Sequence, residues 1–374
     1  MIARVLITGA DGYLGRRAAA EFLATTDDRL VLTVRAADRQ ELAAKGVSLR
    51  TELGEVADRR IEIVPADLTR EAPLAGVAGE VTGIVHAAAR TAFDVSRSQA
   101  QAINVDGTLR VARFAADCPR LERFLLLSTL VSAGLRTGPV AETLLDDDVA
   151  YANHYEWSKA EAERRLTAGF PDLPVSIARL STIIADDESG RATQHNAFHN
   201  TLKLFFYGMM TLMPGRPDTR LYLATADFTS RGILHLVRPG TPTGVYHLAP
   251  APSEAVSLGE VMDTAFDVFE TDPAFIRRRL LRPEFCDVDS FRDLVSAAQS
   301  LSASPMAAAL RSVAPYAEQM FHPKQFDQTR IRSSWEDGPA STGGLPLVAA
   351  TCAWLVNTRW GRREPGIVQV DVSA

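Results

Sequence analysis

The chain has 374 residues, too many for one ordinary domain of roughly 100–200 residues, and its 46% hydrophobic and 23% charged content is that of a soluble globular protein rather than a disordered one. With 40 basic against 46 acidic side chains, a formal net charge of -6 and no basic block, it is a poor binder of phosphate backbones, and nucleic acid is excluded as its main partner. Three scattered cysteines, Cys118, Cys286 and Cys352, offer neither a disulfide framework nor a zinc site, so a reducing, cytoplasmic setting is expected.

In chain order, strands are predicted over 4–8, 30–34, 61–64, 83–86, 123–127 and 175–179, alternating with helices over 14–24, 38–55, 98–117 and 152–167. Most of these strands are near-continuous apolar runs, as in a parallel sheet covered on both faces, so the expected fold class is α/β, a doubly wound Rossmann sheet. The rhythm breaks after Leu180: residues 186–221 read as an insertion, 244–248 as a last strand, and Pro250-Ala251-Pro252 as a boundary. From Ser257 the pattern is mainly helical, which divides the chain into a cofactor-binding domain over 1–250 and a mainly helical substrate-binding region over 251–374. The apolar stretch 345–356 is well short of the ~20 residues that span a bilayer, so a packed helix is expected and no membrane span.

The first strand runs into Thr8-Gly9-Ala10-Asp11-Gly12-Tyr13-Leu14-Gly15, a GxxGxxG turn that opens a helix. Gly9 suits the tight turn, Gly12 lets backbone approach a pyrophosphate, Gly15 lets helix and strand pack closely, and the helix amides take the phosphate charge. Where a second strand that reads NAD carries Asp or Glu, this chain has Arg35, with Arg39 one turn on. A guanidinium grips a 2′-phosphate with paired hydrogen bonds, so NADP(H) is the expected cofactor, although Asp38 could still serve a ribose diol. Asp67-Leu68-Thr69 follows the third strand, and Asp67 can either accept from an adenine amino group or cap its own turn. His86-Ala87-Ala88 leaves the fourth strand with small residues over which a cofactor can lie; His86 itself reads as a core histidine.

The fifth strand ends in Ser128-Thr129, and Tyr155 and Lys159 follow at i and i+4, one above the other on a helix. This pattern fits hydride transfer to a carbonyl: a phenol near pKa 10 serves as acid or base when an ammonium stabilises its phenolate, and a hydroxyl from Thr129 or Ser128 donates to the same oxygen. Only Lys45, Lys159, Lys203 and Lys324 are lysines in this arginine-rich chain, so a lysine at 159 is an uncommon choice.

TGADGYLG at 8–15, Asp67, HAAA at 86–89, Asn104 within NVDGT, STLVSAG at 128–134 and YEWSK at 155–159 resemble the extended short-chain dehydrogenase/reductase superfamily in order and spacing, over about residues 1–250. The ST pair and the Asn153 to Glu163 helix look closest to its thioester-reductase and fatty-acyl-CoA-reductase branch. That resemblance implies Thr129 as hydroxyl donor, Tyr155 as acid/base, Lys159 as its electrostatic partner and ribose ligand, Asn104 at the cofactor site, and NADPH-dependent reduction of an acyl thioester to an aldehyde or alcohol. The branch's Arg-Pro-Ser is replaced here by Arg179-Leu180-Ser181, and no adenylation or carrier segment is seen, so the expected substrate is an acyl or carbonyl group, either free or carried on CoA or a separate carrier protein.

A hydroxysteroid-like or β-keto reductase of the same superfamily stays open, as does a homodimer. A sugar epimerase is disfavoured by Arg35 and by the lack of a sugar-diphosphate clamp, and a non-catalytic NADP-binding sensor or scaffold would be expected to have lost Tyr155 or Lys159. Phe198, Leu202, Phe205, Phe206, Met209, Met210 and Met213 read first as core between two lobes and second as pocket lining. His195 and His199 have metal-like spacing without a third ligand, and no metal is expected.

Overall fold

The apolar runs become strands buried on both faces: in β5 (Arg123–Thr129) every residue but Thr129 is buried. The computed structural model describes residues 3–54, 59–146, 148–299, 305–336, 338 and 343–362. Six further strands join β5: β1 (Arg4–Thr8), β2 (Arg29–Val34), β3 (Ile61–Pro65), β4 (Gly83–His86), β6 (Val175–Leu180) and β7 (Gly244–Leu248). They form one seven-stranded sheet in the order β7-β6-β5-β4-β1-β2-β3, parallel at every step. The order reverses between β1 and β4, so the carboxyl ends of those two strands flank the crevice where open α/β sheets bind ligands.

Helices α1 (Tyr13–Thr25), α2 (Arg39–Leu53), α3 (Asp106–Ala116), α4 (His154–Gly169), α5 (Ala197–Phe206) and α6 (Ala226–Val237) follow in the first 240 residues. All expected strands are present within a residue or two, and α2 ends at Leu53, with Glu55 outside the described residues. The helix expected over 98–117 is instead Arg97–Ala100, a π turn over Gln101–Val105, and then α3. Such a turn adds a residue to the helical path, and here the extra residue frees Asn104 to serve the site.

One face of the sheet packs α1 and α6 through Ala18, Phe22, Ile233 and Leu236; the other packs α3 and α4 through Val111, Ala112, Ala115 and Leu166. A separate core joins α5 to α7 (Leu258–Phe269), α8 (Pro305–Ala317) and α9 (Gly344–Asn357). The apolar stretch 345–356 lies in α9 and buries Leu347, Val348, Cys352 and Leu355 there. Leu202, Phe205, Phe206, Met210 and Met213 belong to the same core, with Phe198 and Met209 packed against it, so this set holds two parts of the chain together. The C-terminal region also returns to the first half: Lys324–Phe326 pairs in parallel with Gly138–Val140. No helix among the described residues is long and apolar enough to cross a membrane.

Candidate active site

At the carboxyl end of β1, Gly9 adopts φ +65°, and a Cβ there would stand 2.8 Å from Ala88 Cα at the exit of β4. A Cβ on Gly15 would meet the Gly9 carbonyl oxygen at 2.2 Å. Both contacts are with backbone that cannot give way, so the two strand ends and α1 close to this distance only on glycine. Gly12 is the N-cap of α1 and brings no side chain to it, so the first amides of α1 are left for an anion. Leu14 packs into the sheet core. The Tyr13 hydroxyl donates to Asp186 at 2.5 Å, and Arg17 pairs with the same carboxylate at 2.7 Å, tying the turn to the start of the insertion.

The side chain of Arg35, at the end of β2, is 76% exposed, its Nε 3.8 Å from Asp67 Oδ2. Asp38 is committed to the N-cap of α2, beginning at Arg39, where it accepts from the Glu41 amide at 2.8 Å. Asp67 accepts from the Thr69 amide at 2.9 Å and hydroxyl at 2.7 Å, and these bonds hold its carboxyl below the usual range. Its capping role is thus realised while Oδ2 stays turned to Arg35. Leu68 is buried against Gly107, and its carbonyl accepts from Arg110 at 2.9 Å. Lys45, which the motifs did not single out, pairs with Asp11 at 2.9 Å and Glu41 at 3.1 Å and donates to the Arg35 carbonyl.

His86 lies between the hydroxyls of Thr8 at 2.7 Å and Thr108 at 3.0 Å, and burial, with the Lys159 ammonium, brings it down to about 3. It is a neutral core histidine, and the Thr8 hydroxyl it touches also accepts from the Ala88 amide at 3.2 Å. Ala87 packs against the sheet core. Asn104 accepts from the Arg90 amide at 2.7 Å and donates to the Arg90 carbonyl and Ser158 hydroxyl, both at 2.9 Å. It therefore staples the exit of β4 to α4, one residue before Lys159.

Helix α4 is capped by Asn153, whose side chain accepts from the Glu156 amide at 3.0 Å. Tyr155 is half-buried, and Phe93 packs edge-on to it at 5.8 Å. Burial pushes its phenol up to about 12, opposed by a hydrogen bond with Thr129. At neutral pH it carries its proton, the form required of a donor to a reduced carbonyl oxygen. Lys159 is 4% exposed and donates to the Leu127 carbonyl at 2.6 Å; burial brings its ammonium down to about 8, and Glu163 one turn on opposes that shift. The expected lowering of the phenol by the lysine is not found: Thr129 alone opposes the rise, and Lys159 is held on the Leu127 carbonyl of β5.

The two candidate hydroxyls part company. Thr129 faces Tyr155, whereas Ser128 donates to Glu163, which also receives Ser132 at 3.0 Å and Arg179 at 2.6 Å. Arg179 is buried completely and reaches on to His247 Nε2 at 3.3 Å, whose Nδ1 donates to the Asp327 carbonyl at 2.7 Å. Sequence reasoning missed Glu163, although its place four residues after Lys159 put it on the catalytic face. It missed Ser181 as well, one residue past Leu180, the β6 partner of Thr129; its hydroxyl is buried without a protein partner among the described residues. His199 caps α5, its Nδ1 accepting from the Asn196 amide at 3.0 Å and its Nε2 donating to the Ile184 carbonyl at 2.9 Å, and His195 stacks on it at 5.0 Å. Their spacing serves a cap and a core.

A parallel sheet with a glycine-built anion cradle at its switch point, and Thr129 at the end of β5 beside Tyr155 and Lys159 of α4, defines a nicotinamide-dependent oxidoreductase of the extended short-chain dehydrogenase/reductase type. The chain belongs to the family described as male sterility protein, which matches residues 7–233. It is 31% identical over 277 residues, 70% of the chain and 18% of the relative, to the isonitrile lipopeptide synthase of Streptomyces coeruleorubidus. It spans about a fifth of the length of the curated relatives it matches. Among solved structures, the terminal R domain of the myxalamid PKS-NRPS pathway superposes with a TM-score of 0.73 at 22% identity, covering 96% of this chain and 92% of that one. A thiolation-reductase di-domain from an archaeal non-ribosomal peptide synthetase gives 0.71 at 18% identity, covering 96% and 76%.

Proposed function

We propose that the chain is an NADPH-dependent reductase of acyl thioesters, held on CoA or on a carrier protein. The observation that carries the reading is the placing of half-buried Tyr155 beside Thr129, with Lys159 tied to the same end of β5 through the Leu127 carbonyl, at the sheet edge that carries the glycine cradle. The cradle fits a pyrophosphate, because Gly9 and Gly15 stand where any Cβ would collide and the α1 amides are uncapped. Bound there, the reduced nicotinamide supplies a hydride to the thioester carbonyl carbon. Thr129 donates a hydrogen bond to the carbonyl oxygen, and Tyr155 gives that oxygen its proton, leaving a hemithioacetal. Collapse of that adduct breaks the carbon-sulfur bond and returns the thiol with an aldehyde; a second NADPH and a second proton would be needed to carry the aldehyde on to the alcohol. Lys159, buried one turn along α4 from Tyr155 and held on the Leu127 carbonyl, is the cation assigned to favour the phenolate as the proton leaves. A thioester is favoured over a free ketone by the ST and YExSK pattern and by the thiolation-reductase pairing in the second structural neighbour.

The test is NADPH oxidation with a panel of acyl-CoAs, acyl carriers and ketones, with thiol release measured alongside. Thiol appearing with NADPH loss is expected; turnover of ketones alone would overturn the thioester assignment, and tight NADPH binding without turnover of any carbonyl would overturn the enzyme reading.

Choice of NADPH rests on Arg35, exposed at the end of β2 where a carboxylate would repel a 2′-phosphate, and on Asp38, spent on its helix cap. Loss of a charge-assisted hydrogen bond costs about 1.5–3 kcal/mol, so Arg35→Asp is expected to lower the NADPH over NADH preference roughly 10- to 100-fold in kcat/KM. An unchanged ratio would remove Arg35 from the 2′-phosphate site.

A further inference from the structure

The side-chain amide of Gln319, far along the chain in the C-terminal region, has every polar atom engaged inside the protein. Gln319 is 5% exposed. Its Nε2 donates to Glu156 Oε2 at 2.7 Å and to the Gly134 carbonyl at 3.4 Å, while its Oε1 accepts from Lys324 Nζ at 2.6 Å. The chemistry of the partners sets the amide's orientation: an ammonium is donor-only and must meet the oxygen, and a carbonyl and a carboxylate meet the nitrogen. Lys324 is fixed in turn by the His322 carbonyl at 3.1 Å and by the pairing of Lys324–Phe326 with Gly138–Val140.

Both acceptors belong to the reaction centre's own elements. Glu156 follows Tyr155 in the first turn of α4. Gly134 closes the short helical turn Leu130–Ala133, whose N-cap is Thr129. One amide therefore spans the two elements that bring hydroxyl and phenol together. The same segment reaches the start of α4 once more directly and once through a ring: the Pro315 carbonyl accepts from Asn153 Nδ2 at 3.0 Å, and Tyr316 packs at 5.6 Å on Phe93, the ring that lies against Tyr155.

We propose that Gln319 is a positioning residue for the reduction, holding the Thr129 turn and the Tyr155 turn of α4 at their working separation from the C-terminal region. This rests on the Thr129-Tyr155 reading of the site. It gives the C-terminal region a part in the chemistry besides enclosing substrate: a shift of the 315–324 segment moves the acid/base pair. Burial raises Glu156 to about 7, which the Gln319 amide opposes, and lowers Lys324 to about 8, which Glu156 opposes, so the amide bridges two buried groups of opposite charge.

The experiment compares Gln319→Leu with wild type in the full chain, and reads kcat, NADPH affinity and the ring resonance of Tyr155 in protein labelled with carbon-13 tyrosine, assigned through Tyr155→Phe. Misplacement by about an ångström predicts a kcat loss of up to about 100-fold with NADPH affinity held within about twofold, and a displaced Tyr155 resonance. Wild-type kcat with an unmoved resonance overturns the proposal; so does a parallel fall of kcat and NADPH affinity with the resonance in place, the mark of a stability role alone. Should Gln319→Leu not fold, Lys324→Met removes the donor that fixes the amide and is read in the same way. A wild-type protein that reduces no thioester counts against the substrate assignment only, and the resonance then decides the positioning role by itself.

Discussion

Tyr155→Phe is expected to lower kcat by about 100- to 10,000-fold, the span attributable to a positioned general acid, while NADPH affinity changes little. The change deletes one oxygen from a half-buried ring packed against Phe93, so volume is kept and the edge-on contact survives. What disappears is the proton. Burial holds that phenol at about 12, so in the wild type it is protonated across the neutral range and available to the oxygen that gains charge as hydride arrives. The turn that carries it stays tied to Pro315 through Asn153 and to Gln319 through Glu156, neither of which senses the lost hydroxyl. Steady-state rates with the best thioester, set beside NADPH titration by fluorescence, decide the matter. A variant within a few-fold of wild type would show that the proton comes from elsewhere in the site.

Most of the sheet was readable because strands covered on both faces are near-continuous apolar runs, as Phe124 to Leu127 is, and because helices between them return the chain to the same edge. Gly9 and Gly15 were readable for a related reason: a backbone contact within 3 Å of a would-be Cβ admits no other residue. Tyr155 and Lys159 came from helical spacing. Spacing says which residues share a face but not what stands opposite, so Ser128 and Thr129 looked interchangeable until Glu163 was seen to claim the first. Gln319 was beyond reach of any pattern, since its partners lie 163 residues away for Glu156 and 185 for Gly134. Asn104 shows the intermediate case: its position in the motif marked the site, and the π turn that makes it a staple between β4 and α4 rather than a ligand alone is invisible in composition.

Arg179→Met is expected to cost about 3–5 kcal/mol of stability, because it leaves the Glu163 carboxylate buried with its charge uncompensated. The side chains are 0% and 3% exposed, and three hydrogen bonds at 2.6, 3.1 and 3.2 Å join them. An exposed pair would contribute about 1 kcal/mol or less, so urea unfolding that shows a loss of that size would mean that solvent reaches the pair. The double variant Arg179→Met with Glu163→Met should recover much of the deficit, since apolar groups of similar volume replace a buried ion pair at little net cost. Stability and rate should nonetheless separate in that double variant. Glu163 receives Ser128 and Ser132 on either side of Thr129, and it sits one turn from Lys159, whose ammonium it favours. A refolded apolar core leaves those two serines without their acceptor and the lysine without its counter-charge. Recovered unfolding free energy with depressed kcat is therefore the expected result, and recovery of both would show that the network serves folding and not the alignment of Thr129 with Tyr155.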